Sequence, residues 1–98
     1  MGEIRIKDDD VLCCGSCGEP WGLHQGDIAI YLRNEDQKEG LCVTTKGFSV
    51  KIDRTLSQGN PSSRRQGLVI QFECELCSGD TSLLISQHKG RTFIEWKK

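Results

Sequence analysis

Along most of the chain, apolar residues alternate with polar ones, and no segment holds a convincing helical period. A period of two puts successive side chains on opposite faces of a strand. Residues 3–7 read as a short strand with Ile4 and Ile6 on one face. Residues 27–33 place Ile28, Ile30 and Leu32 together. Residues 41–45 and 48–53 are two further strands, the second with Phe48, Val50 and Ile52 on one side, and Lys46-Gly47 is the expected turn between them. Residues 34–40 form a polar turn, and Asp8, Asp9 and Asp10 a solvated one.

Residues 68–74 form a strand with Leu68, Ile70, Phe72 and Cys74 on one side. Residues 82–88 and 91–96 read as a hairpin across Lys89-Gly90. A two-residue turn would pair His88 with Arg91, Ile85 with Ile94, and Leu83 with Trp96. That register puts four apolar side chains on one face, so turn chemistry and core pattern agree. Residues 54–67 have no period and contain Gly59, Asn60 and Pro61. They read as a long loop, of a length that is uncommon unless it is mobile or functional. The expectation is one mostly β domain over 1–98, an antiparallel sheet or sandwich.

Ninety-eight residues make only a modest core, and small domains often need a staple. Six cysteines can supply one. The first residues lack the apolar run of a secretory signal, and nothing approaches the roughly 20 apolar residues of a membrane span. The expected setting is a reducing cytoplasm, where paired cysteines more often bind metal than form disulfides.

Cys14-Gly15-Ser16-Cys17-Gly18 has the form of a zinc knuckle, and Cys74-Glu75-Leu76-Cys77 with Ser78-Gly79 is a second such turn. Two residues between thiols let both sulfurs reach one metal, and Gly15 and Gly18 relieve the backbone where positive φ is needed. Cys14, Cys17, Cys74 and Cys77 therefore form a candidate closed four-thiolate site. One structural Zn2+ is the expected cofactor; iron in a rubredoxin-like site uses similar turns. Cys13 and Cys17 are spaced as Cys-x-x-x-Cys, an alternative register. Cys42 reads as a small buried hydrophobe.

His24 is a candidate donor to a thiolate or a turn partner, and Trp21 a candidate cover for the metal, while Trp96 closes the core. Ser62, Ser63, Arg64 and Arg65 in the long loop combine hydroxyl and guanidinium groups suited to an anion, and Lys89 and Arg91 would extend a basic edge. No phosphate loop, nucleophile elbow or His-Glu-x-x-His motif is present, so no enzyme activity is expected. The net charge of -1, about -3 with four thiolates and a zinc ion, argues against broad attraction to nucleic acid.

The paired knuckles resemble the zinc-ribbon class. Asn60-Pro61-Ser62-Ser63-Arg64-Arg65-Gln66-Gly67, Phe72-Glu73-Cys74-Glu75-Leu76-Cys77, Gln87-His88-Lys89-Gly90 and Ile94-Glu95-Trp96 resemble a group of short uncharacterised bacterial and phage proteins with a Cys-x-x-Cys-Gly near the start. The likeness runs from about residue 14 to 96 and implies a prokaryotic or phage cytoplasmic setting, with no particular activity. The long β-rich insertion between knuckles departs from a minimal ribbon. The sequence thus leads first to a zinc-stabilised module that binds another protein. A small nucleic-acid-binding regulator, and an anionic-ligand binder or enzyme built on the Arg64/Arg65 loop, are the alternatives.

Overall fold

The computed structural model describes residues 4–33, 40–54, 59–62 and 65–97. Six strands carry the fold: β1 (Leu23–Leu32), β2 (Leu41–Lys46), β3 (Ser49–Asp53), β4 (Gly67–Cys74), β5 (Asp80–His88) and β6 (Arg91–Lys97). They form one open sheet in the order β3-β2-β1-β4-β5-β6, with every neighbouring pair antiparallel. The described residues contain no helix and no second sheet, so the sheet alternative holds and the sandwich does not. No helix among them is long and apolar enough to cross a membrane.

Strands β1-β2-β3 and β4-β5-β6 are two local meanders, joined where β1 pairs with β4 from Leu23↔Cys74 to Tyr31↔Gly67. The last hairpin has the expected register, His88↔Arg91, Ile85↔Ile94 and Leu83↔Trp96. Lys89 and Gly90 have φ of 50 and 75, as a type I′ turn requires. Three expectations need correction. The strand over 3–7 shrinks to a bridge between Ile6 and Leu12, with Glu3 outside the described residues. Lys46 pairs with Ser49, so the β2–β3 turn is Gly47-Phe48. The strand placed at 27–33 starts at Leu23, because the register shifts between Gln25 and Ile28 and a bulge breaks the alternation there. The bulge is tied to the next hairpin: Ile28 N–H donates to Thr45 Oγ1 at 2.9 Å, and Gly47 N–H to Asp27 Oδ1 at 3.1 Å.

Reading the registers across the sheet, Ile52, Val43, Ile30, Leu68, Ile85 and Ile94 form a row on one face. Two positions along each strand, the same face carries Val50, Thr45, Ile28, Ile70, Leu83 and Trp96. Neither row holds a charge. The segment before β1 covers only part of this face: Ile4 and Leu12 pack on buried Phe72, Leu83 and Trp96, with Leu23 and Ile70 beside them. Phe72 meets Trp96 edge to face at 5.4 Å between ring centres, a favoured aromatic geometry. The expected turn at 34–40 lies outside the described residues except for Gly40, as does part of the loop at 54–67.

Candidate metal centre

The four-cysteine site sits at the end of the β1–β4 seam. The first knuckle leads into β1, and β4 ends in Cys74, opposite Leu23. Glu75 N–H extends this pairing to the Gly22 carbonyl at 2.9 Å. Each Cys-x-x-Cys turn closes on itself. Cys14 N–H donates to Glu19 O at 2.9 Å, Gly18 N–H to Cys14 O at 2.9 Å, and Cys74 N–H to Gly79 O at 3.1 Å. Gly18 (φ 78) and Ser78 (φ 53) each follow the second cysteine with left-handed backbone.

Gly15 has a different reason to be glycine. It does not have positive φ. A Cβ there would stand 2.5, 2.7 and 2.8 Å from three ring atoms of Trp96. The knuckle lies directly on the fully buried indole, which joins the metal site to the core. Trp96 therefore supports the site. Trp21 is 62% exposed.

The Sγ atoms of Cys14, Cys17, Cys74 and Cys77 all lie within 4.8 Å of one another. Two pairs that cross between the knuckles, Cys14–Cys77 and Cys17–Cys74, are 3.8 Å apart. Bonds of about 2.3 Å at tetrahedral angles separate sulfurs by about 3.8 Å, so the four thiols are spaced to hold one metal ion. Cys13 is excluded from this set: its buried thiol turns to the Val11 carbonyl at 3.9 Å. The thiol cluster thus includes Cys14 and not Cys13. Cys42 is buried in β2, as expected.

The electrostatics of the cluster suit a cation. Burial opposes ionisation of Cys14, but the backbone N–H groups of Cys17 and Ser16, aided by the thiols of Cys17 and Cys74, bring it down from 9.0 to about 7. Ser16 N–H lies 3.3 Å from its sulfur. The backbone N–H of Glu19 favours the Cys17 thiolate, yet burial and the thiols of Cys14, Cys74 and Cys77 push it up to about 12. At Cys77 the N–H of Gly79 is likewise outweighed by burial and by Cys74 and Cys14, and its thiol is raised. One thiolate ionises readily and discourages its neighbours, as expected for coupled groups. A dication relieves that repulsion.

His24 does not reach a thiolate. Its Nε2 lies 3.1 Å from Glu75 Oε2, an exposed pair linking β1 to the second knuckle. Ser62 is buried, and its hydroxyl is engaged with Gln66 and Gln87. Ser63 and Arg64 lie outside the described residues. Arg65 and Lys89 line one small cavity, together with Arg33 and His88. Arg33 was not expected there, because only the β1–β4 pairing brings the end of β1 beside residue 65. Arg91 instead stacks on Phe93, its guanidinium carbon 5.1 Å from the ring centre. Comparison with protein-family models, curated proteins and solved structures finds no match.

Proposed function

We propose that this chain is a non-enzymatic β domain, stapled by one structural zinc ion, that works by binding protein. Four soft thiolates with no open position favour zinc in a structural role. The observation that carries the binding reading is the uncovered, uncharged face of the sheet. Ile30, Val50, Ile52 and Ile94 are 39%, 63%, 60% and 50% exposed on it. They lie in two adjacent rows rather than scattered. Contiguous apolar surface of this kind marks an interaction site.

A face without charge fits a partner that is equally flat and uncharged, and a second copy of the chain meets that requirement. The nine row positions outside the corner that Ile4 and Leu12 cover, at about 4.8 Å between strands and about 6.7 Å along them, give a patch of roughly 300 Å² per copy, hence roughly 600 Å² for a pair, the scale of a weak, concentration-dependent association. Two copies face to face would complete the two-layer arrangement that a lone sheet lacks.

Sedimentation of the wild type and of Ile30→Lys/Ile52→Lys over a range of concentrations tests this. A dimer that forms with concentration and is lost in the variant supports it. A wild type monomeric throughout, or a dimer that survives both lysines, removes the face from the reading. Native mass spectrometry tests the staple separately. One zinc per chain is expected, and iron or an empty site would refute it.

A further inference from the structure

We propose that the outer edge of β3 pairs antiparallel with β3 of a second copy of the chain, joining two sheets of six strands into one. In the open sheet β3 and β6 are the end strands, each with a neighbour on one side only. The β2–β3 register identifies the backbone groups on the outer side of β3. Lys46↔Ser49 closes a two-residue turn and is a hydrogen-bonded pair, so bonded pairs recur at Thr44↔Lys51 and Cys42↔Asp53. The N–H and C=O groups of Val50 and Ile52 therefore point away from β2. Among the described residues, no backbone group bonds to them.

Sheet edges are commonly guarded by proline, a bulge or a covering segment. Residues 49–53 contain no proline and pair with β2 without a register shift. Val50 and Ile52 are exposed, as is Phe48 beside them. The segment before β1 packs on Phe72, Leu83 and Trp96, in the half of the sheet that ends in β6. The β3 end is thus the less guarded of the two, and an unguarded apolar edge is a template for another strand.

Charge complementarity selects the occupant and the register. Antiparallel pairing about a two-fold axis can centre on Val50, Lys51 or Ile52. Centring on Lys51 sets two lysines directly opposite, which is destabilising. Centring on Val50 needs Phe48 in an extended conformation opposite Ile52, but Phe48 is a corner of the β2–β3 turn, next to Gly47 with φ of 60. Centring on Ile52 sets Lys51 of each copy opposite Asp53 of the other. These are the close, non-hydrogen-bonded positions, about 4.5 Å apart at Cα, where opposite charges stabilise. Within one chain the same two side chains meet only at 3.9 Å and stay largely exposed. The equivalent pairing of β6, centred on Ile94, would set Arg91 opposite Lys97, both positive. The axis stands perpendicular to the sheet, so the apolar rows of both copies run on across the seam. Lys51 and Asp53 lie on the opposite face from those rows, so edge pairing is independent of face-to-face packing.

The test is sedimentation of the full chain over a range of concentrations, in wild type and in Ile30→Lys, which disables the apolar face and leaves β3 intact. A dimer is expected in both. Lys51→Glu and Asp53→Lys, each made alone, should weaken it at least about tenfold, since each turns two attractions into two repulsions. The double change Lys51→Glu/Asp53→Lys should restore it. Amide hydrogen exchange of the wild type keeps the test valid should Ile30→Lys misfold. Protection at Val50 and Ile52 should rise with concentration, while Ser49 and Lys51, already bonded to β2, stay constant. A dimer lost in Ile30→Lys but unchanged in Lys51→Glu belongs to the face and overturns the edge. So do a double change that fails to restore association, and protection that rises at Thr92 and Ile94 instead. A wild type monomeric at every concentration overturns it as well.

Discussion

Gly15→Ala changes one hydrogen into a methyl group and should damage both the core and the metal centre. The new Cβ would lie 2.5 to 2.8 Å from the Trp96 ring, well inside van der Waals contact. The indole cannot swing away, because it is fully buried and wedged against Phe72. The knuckle must therefore lift off the ring by roughly 1 Å to restore ordinary carbon contact. Overpacking of this kind costs about 1–3 kcal/mol. For a domain of this size, a loss of about 2 kcal/mol lowers Tm by about 10 °C. The assay is chemical denaturation at fixed zinc and protein concentration, with metal content measured alongside. Trp96→Phe supplies the control, since the smaller ring leaves room for the methyl. Trp96 Nε1 is buried with no acceptor among the described residues, so the change breaks no hydrogen bond there. Gly15→Ala should cost under about 1 kcal/mol in that background, a coupling of about 1 kcal/mol or more. A Gly15→Ala protein within about 0.5 kcal/mol of wild type, or equal costs in the two backgrounds, would refute the contact as the reason for glycine.

Cys14→Ser and Cys77→Ser should each lower metal content and destabilise the chain, whereas Cys13→Ser should keep full metal content, as elemental analysis of the three variants would reveal. Metal binding near pH 8 should release at least about two protons, because Cys17 and Cys77 are still thiols there; calorimetry in buffers of different ionisation enthalpy counts them. The sign follows directly: as pH falls, protons compete for the sulfurs and metal affinity drops, and full zinc affinity retained at pH 5 would contradict the thiolate set. Ser62→Ala should cost about 1–3 kcal/mol in denaturant melts, since it orphans Gln87 N–H and the Gln66 carbonyl together.

Local signals were legible in the sequence where turn chemistry and alternation agree, though the β2–β3 turn lies one residue beyond its expected place. The β5–β6 register follows from a two-residue turn and alternation alone, and Ile85↔Ile94 and Leu83↔Trp96 fall where both require. The ligand spacing was readable for the same reason, because each pair lies in a single turn. What failed to be legible depended on which distant strands meet. The start of β1 was hidden by its bulge, which interrupts the period before Ile28. The roles of the two tryptophans depend on which surface the first knuckle lands on. Arg33 joins Arg65 only because β1 and β4 are neighbours, a pairing that no local pattern encodes.

The sheet order also governs the sequence of events in assembly. Strands β1-β2-β3 and β4-β5-β6 can each zip up from adjacent segments, with little loop to close. Among the described residues, the β1–β4 seam is the one strand pairing between residues far apart in the chain, and closing it carries the largest loop-entropy cost. The cysteines are divided across that seam, one pair from each side. Neither half alone holds all four cysteines, so an ion bound by the four thiols would be captured tightly only once the halves have docked. Metal uptake would then serve as a clock for the last step of folding, and a chain cut between β3 and β4 would need the ion to rejoin its pieces.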